Sequence, residues 1–347
     1  MMGIRASWSI VGVVLLMSLT MYPAVAPAAA DDAFVIAIHG GGGVRPRSEM
    51  APDLEAAYRH ALRESLAAGY AVLHAGGTSV SAVEAAIRVM EDSPLFNAGK
   101  GSSFNRDGII QMDASIMDGR TSNSGAVAVV QRVRNPITLA RAIMEDSPHV
   151  MMADVGALEF AKGQGLAIEA PHYFFTERKW DSLQRRLQQG TEYGKRPEAA
   201  MSRDESVDYT AFGTVGAVAM DMDGNLAAGT STGGREGKMH GRIGDSPIIG
   251  AGTYANNATL AVSSTGLGEY VIRVVGTKDM SDLMEYKGLG MEEAMRTVMR
   301  KISDMGGAIS AVAVGADGSV AMPYSGDGMY RGYVREDGNY VIRIYDE

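Results

Sequence analysis

Hydroxyl side chains gather where two short strands would close on each other. Thr214 follows Gly213, and Thr230, Ser231 and Thr232 end a later run of small residues. Thr214 to Asp221 and Asn225 to Ser231 are rich in small and β-branched residues and flank Asp223-Gly224, a hairpin signal. Pairing within that hairpin brings Thr232 close to Thr214. Farther on lie Arg242-Ile243-Gly244-Asp245 and Ser263-Ser264-Thr265-Gly266-Leu267-Gly268-Glu269. With no side chain at Gly266, neighbouring backbone N–H groups can approach a ligand closely. Taken singly these pieces are ordinary. Thr is common in strands, and Arg242 with Asp245 could be a surface (i, i+3) ion pair of little worth. Their combination asks for a chemical account.

Better-known motifs do not supply one. Asn97-Ala98-Gly99-Lys100-Gly101-Ser102 and Gly234–Met239 each lack the Lys-Ser/Thr pair and Gly spacing of a phosphate loop. Asp221-Met222-Asp223-Gly224 has its Gly too early for a calcium loop and no Glu at the twelfth position, so turn residues explain it better. No His pair has metalloprotease spacing. Gly40 to Gly43 lack the later Gly and acidic partner of a dinucleotide site.

The surrounding elements follow from pattern. Phe34 to Ile38 read as a buried strand ending in His39 and a Gly-rich loop. Leu54, Ala57, Tyr58, Ala61, Leu62 and Leu66 have helical spacing. Ser81 and Glu84 have capping-box spacing ahead of a second helix closed by Pro94, and Asn135-Pro136 starts a third. A strand is expected over 125–130. From Asp181 to Gly213, Gln, Arg, Glu and Gly crowd a stretch without apolar period, which predicts an exposed, mobile segment rather than a packed element. Two more hairpins follow about Asp317-Gly318 and Asp337-Gly338, with a helix through Met295, Val298, Met299 and Ile302. A helix-rich half followed by hairpins with interposed helices predicts an α+β fold, with antiparallel sheets covered by helices.

Several segments together resemble the isoaspartyl peptidases, or plant-type L-asparaginases. They are Gly-Thr-Val-Gly-Ala-Val-Ala (213–219), Asp-Gly-Asn-Leu-Ala-Ala (223–228), Thr-Ser-Thr-Gly-Gly (230–234), Gly-Arg-Ile-Gly-Asp-Ser-Pro (241–247), Gly-Ala-Gly-Thr-Tyr-Ala-Asn-Asn (250–257) and Thr-Gly-Leu-Gly-Glu (265–269). The first half agrees at Ile-His-Gly-Gly (38–41), Phe-Asn-Ala-Gly-Lys-Gly (96–101) and Met-Asp-Ala-Ser-Ile-Met-Asp-Gly (112–119). The resemblance runs in order from Phe34 to Tyr330.

That family implies an N-terminal-nucleophile hydrolase with a four-layer αββα sandwich, made as a precursor that cuts itself before a Thr. Here the cut would fall at Gly213–Thr214, leaving an α chain of 31–213 and a β chain of 214–347 that together form one domain. The freed α-amine, with an ordinary pKa of about 8, then serves as base for the Thr214 hydroxyl. By the resemblance, Thr232 orients that hydroxyl, Thr265 and the Gly266 N–H hold the oxyanion, and Asn97 adds a donor. Arg242 takes the substrate α-carboxylate, Asp245 its α-ammonium, and Gly268 lines the site. A β-aspartyl peptide or asparagine carries both free groups, so aspartate would be released. The resemblance also implies an (αβ)₂ assembly and a structural sodium ion on backbone carbonyls of Met90 to Lys100, without an organic cofactor. Arg235-Glu236-Gly237-Lys238-Met239-His240 departs from a stretch where many members have Asn and Pro, which bears on substrate preference.

Composition agrees with this reading. A net charge of −9 argues against a nucleic-acid partner. The absence of Cys excludes a thiol nucleophile and Cys-ligated metals. Residues 1–30 combine Arg5, an apolar run over 8–20 too short to span a membrane, and Ala28-Ala29-Ala30, predicting a signal peptide cleaved after Ala30 and a periplasmic or secreted protein with no membrane attachment. Two rival readings are a glycosylasparaginase, whose cut usually has Asp before Thr where Gly213 stands here, and a non-catalytic exported amino-acid-binding protein, which would need no nucleophile.

Overall fold

The computed structural model describes residues 34–188 and 213–346. The larger of two sheets has eight strands in the spatial order β12 (Tyr340–Arg343), β11 (Met329–Arg335), β1 (Val35–Gly42), β5 (Val215–Met220), β6 (Leu226–Thr232), β2 (Met112–Asp118), β3 (Ser124–Val130) and β4 (Met151–Ala153). The smaller runs β10 (Val320–Ala321), β9 (Ile309–Gly315), β8 (Leu260–Gly266) and β7 (Thr253–Ala255). Neighbours are antiparallel except β3 and β4.

Helices α1 (Pro52–His74), α2 (Ser79–Glu91), α3 (Pro136–Asp146) and α4 (Asp154–Gly163) cover the outer face of the larger sheet, where Leu62, Leu66, Ile87 and Ile143 pack with Ile36, Ile38 and Ala217. Two short helices follow, α5 (Pro171–Phe174) and α6 (Glu177–Gln188). The inner faces of the sheets meet through Val35, Val218, Ala228, Ala261, Val312 and Val314. On the far side α7 (Gly268–Val274), α8 (Gly276–Lys287) and α9 (Met291–Asp304) bury Met280, Met295, Val298 and Ile302 against Val262 and Ala311. Three apolar seams between four layers make the expected αββα sandwich.

The local signals act as predicted, with corrections. Pro136 opens α3 as expected, and Pro52, which the sequence reading does not use, opens α1. At α2 the cap lies earlier than Ser81: Thr78 Oγ1 accepts from Ser81 N at 3.2 Å, and Glu84 instead accepts from Thr138 and Arg141. Asp221 spends one carboxylate oxygen on the turn, at Asp223 N and Asn225 N, and the other on Ser79 N, the work of a turn residue. The stretch from Asp181 is not wholly unpacked, because α6 continues to Gln188 and buries Leu183; the remainder before Gly213 lies outside the described residues, as do 1–30. Strand β2 was invisible to pattern. It is buried on both faces and carries Asp113 and Ser115 inside, so it lacks the alternation of a half-exposed strand.

Candidate active site

The site is built where the ends of β5, β6 and β8 meet. Val215 pairs with Ser231, which sets Thr214 opposite Thr232. The Thr214 hydroxyl donates to Thr232 Oγ1 at 3.1 Å, and Thr232 Oγ1 also accepts from Gly234 N at 2.9 Å. Side chains alternate along β6. Thr230 therefore faces the smaller sheet with Thr232, while Ser231 turns the other way and donates to buried Glu91 at 2.6 Å. Burial raises the Glu91 carboxyl to about 8, against the hydrogen bonds that it accepts.

Gly213 sits between Gly41 and Asn97. A Cβ on Gly41, whose φ is +111°, would come within 2.6 Å of Gly213 Cα, and one on Gly213 within 2.7 Å of Asn97 Cβ. Only Gly fits at both 41 and 213. The Gly213 carbonyl accepts from the Asn97 backbone N–H at 3.2 Å. Asn97 is expected to add a donor, and here it is the backbone that donates. Its carboxamide donates to Gly234 O and accepts from Ser103 N, each at 2.7 Å, so its side chain frames the loop while its backbone reaches the carbonyl before Thr214.

Thr265 is the penultimate residue of β8 and buried, and its hydroxyl has no hydrogen-bond partner among the described residues. Gly266 lines the same cleft as Thr214, Thr232, Arg235, Arg242 and Asp245. No Cβ is tolerated at Gly266, since it would stand 2.2 Å from Ala308 O.

Arg242 and Asp245 do not form the isolated surface pair that spacing allowed. Arg242 Nε and Nη2 each lie 3.0 Å from Glu269 Oε1. Asp245 is buried and accepts from Ser264 Oγ at 3.2 Å. Burial raises its carboxyl to about 6, with Arg242 pulling the other way. Gly268 keeps this clamp open: a Cβ there would meet Asp245 Oδ1 at 2.9 Å and Arg242 Nη2 at 3.1 Å. Glu269 is the partner that spacing did not single out, although it stands one residue beyond Gly268 on α7.

Behind the site the two sheets are joined by buried hydroxyls. His39 Nε2 lies 2.9 Å from Ser263 Oγ, which lies 2.6 Å from Thr230 Oγ1. Thr253 Oγ1 donates to Thr230 Oγ1 at 2.5 Å, and Ser115 Oγ to Thr253 Oγ1 at 2.8 Å. Burial lowers His39 to about 3, so its imidazole is neutral. The loop after Thr232 is anchored by Lys238, wholly buried, whose Nζ donates to Gln111 O at 2.7 Å and lies 4.0 Å from Asp113 Oδ2. Thr230, Ser263, His39 and Lys238 fall in stretches singled out from the sequence, and Ser115 and Thr253 in the matching segments, but spacing gives none of the six this role, because its signal is burial.

In the stretch from Met90 to Lys100, carbonyl oxygens fold toward glycines. A Cβ on Gly99 would meet Glu91 O at 2.2 Å, and one on Gly101 Phe96 O at 2.0 Å and Pro94 O at 2.9 Å. Pro94 O and Leu95 O already accept from Arg178 Nη2 at 3.0 and 2.8 Å, which leaves Glu91 O and Phe96 O as the carbonyls of this group to which a hard cation could turn.

Residues 32–344 match the family described as Asparaginase. The isoaspartyl peptidase of Salmonella typhimurium is 46% identical over 318 residues, covering 90% of this chain and 99% of the relative. That of Escherichia coli is 44% identical over 314 residues, covering 90% and 96%. The probable isoaspartyl peptidase/L-asparaginase 2 of Arabidopsis thaliana is 39% identical over 326 residues, covering 90% and 99%.

Proposed function

The chain belongs to this asparaginase family, and from that premise we propose that it is a self-cleaving threonine hydrolase of β-aspartyl peptides and L-asparagine. The observation that carries the reading is the 3.1 Å hydrogen bond from Thr214 to Thr232 at a peptide bond whose carbonyl is held by Asn97 N–H. In maturation the Thr214 Oγ adds to the Gly213 carbonyl carbon. Its proton passes to the departing nitrogen as the C–N bond breaks. That break releases the Thr214 α-amine, and water then hydrolyses the ester, freeing a carboxylate on Gly213 and restoring the Thr214 hydroxyl.

In catalysis that amine takes the Oγ proton as Oγ attacks the substrate's side-chain carbonyl. Thr265 Oγ1 and Gly266 N–H receive the oxyanion, an arrangement worth about 3 kcal/mol per donor. The amine returns the proton to the leaving nitrogen, and water releases aspartate from the acyl-enzyme. Arg242 pairs with the substrate α-carboxylate, and buried Asp245 with its α-ammonium. In this reading backbone carbonyls of 90–100 that are not already taken by Arg178, such as those of Glu91 and Phe96, would hold a structural sodium ion, which would supply rigidity beside Asn97.

Residues 1–31 lie outside the family match, and the sequence features Arg5, the apolar run over 8–20 and Ala28-Ala29-Ala30 are the basis for reading 1–30 as an export signal of a periplasmic or secreted protein. No helix among the described residues is long and apolar enough to cross a membrane. An (αβ)₂ assembly completes the proposal. On a denaturing gel the purified protein should run as two bands, 31–213 and 214–347, and release aspartate from β-Asp-Leu. Thr214→Ala should run as one inactive chain. A single wild-type band that still cleaves β-Asp-Leu refutes the mechanism.

A further inference from the structure

Arg235 belongs to the stretch in which this chain departs from many members of the family, and it lines the cleft that holds Thr214, Arg242 and Asp245. It follows Gly234, whose N–H reaches Thr232 Oγ1 and whose carbonyl accepts from Asn97. The loop is not free to carry it away. Lys238 is tied to Gln111 O, Gly237 N donates to Phe104 O, and Arg106 N donates to Lys238 O. The neighbouring acid, Glu236, lines a different cleft with Lys179, on the other side of Gly213.

The charged groups are graded from inside to rim. Asp245 is 5% exposed, and the side chains of Arg242, Arg235 and Glu269 are 15%, 28% and 47% exposed. Glu269 grips Arg242 with two contacts of 3.0 Å through Oε1 and stands 3.7 Å from Arg235 through Oε2. The inner pair meets the charged groups of the aspartyl half. A β-aspartyl dipeptide has one more charge, the α-carboxylate of its leaving residue, on the opposite side of the scissile bond from the two groups that the inner pair meets. Asparagine has no counterpart. A guanidinium offers five N–H donors in a fork that fits a carboxylate, and a partner at a solvent-exposed rim is screened enough to share it.

We propose that Arg235 is a specificity-determining residue that binds the free carboxylate of the leaving residue, favouring β-aspartyl dipeptides over amidated peptides and asparagine. The inference rests on the proposed isoaspartyl reading and narrows its substrate class. The test is kcat/KM of the mature wild type, Arg235→Lys and Arg235→Met for β-Asp-Leu, its C-terminal amide and L-asparagine. The wild type should prefer the free acid over the amide by about tenfold or more, the span of one charge-assisted hydrogen bond. Arg235→Met should bring that ratio close to one, and Arg235→Lys should hold an intermediate value. Failure of a variant to mature leaves the acid-to-amide ratio of the wild type as a sufficient test. A wild-type ratio near one overturns the assignment, as does an equal loss on all three substrates in Arg235→Met. A mature wild type that cleaves none of the three defeats the isoaspartyl reading itself, and this inference with it.

Discussion

A threonine hydroxyl needs something to aim it and something to take its proton. Thr232 does the first in the uncut chain, and the amine released at Thr214 does the second in the proposed mechanism. Substrate capture has a separate electrostatic requirement. In the proposed mechanism Asp245 must be ionised to hold the substrate ammonium, yet burial raises its carboxyl to about 6. Below that pH it is protonated and neutral, so capture weakens as pH falls; above it the carboxylate is restored. We therefore expect kcat/KM for β-Asp-Leu to show an inflection near pH 6 in addition to one from the Thr214 amine near ~8. Asp245→Asn should lose the lower inflection and raise KM. A wild-type profile flat between pH 5 and 7 would contradict this role.

At the scale of elements, the site depends on how closely the two sheets approach. Thr214 and Thr232 come from the larger sheet and Thr265 with Gly266 from the smaller. The spacing between them is set where β5 crosses β8. A Cβ on Gly216 would fall 2.0 Å from Ser263 Oγ and 2.4 Å from His39 Nε2, in the buried hydroxyl network. Gly216→Ala must push the sheets apart or break that network, at a cost of about 1–3 kcal/mol. In an uncleavable Thr214→Ala background the urea midpoint should fall accordingly. In the otherwise wild-type chain the two bands should form more slowly. An unchanged midpoint together with unchanged maturation would show that the sheets have room to spare.

The whole molecule explains how a cut chain can stay folded. Strands β1 to β4 precede Gly213 and β5 to β12 follow Thr214, but their order in the larger sheet interleaves. Strand β1 lies between β11 and β5, and β2 between β6 and β3. Separating the two chains would strip both sides of β1 and one side of β2, exposing Ile36, Ile38 and Ile116 from the core. The cut should therefore leave the chains together in native size-exclusion chromatography and release them only in denaturant. Separation under native conditions would rule out the interleaved sheet.

Much of this was legible from residue order. The Asp-Gly turns set three hairpins by local backbone chemistry, and a two-strand hairpin about Asp223-Gly224 is enough to bring Thr214 to Thr232. Matching motifs then identified Arg242, Asp245, Thr265 and Gly266 as residues to follow. The tertiary structure decided what those residues touch. It paired Arg242 with Glu269, turned the Asn97 carboxamide to Gly234 and its backbone to Gly213, and set Arg235 in the same cleft as Thr214. It also revealed β2 and the hydroxyls between the sheets. Turns and adjacent strands act over a few residues and leave their mark in spacing. Contacts between layers depend on which distant surfaces exclude water together, and strands buried on both faces erase the alternation by which a sequence would announce them.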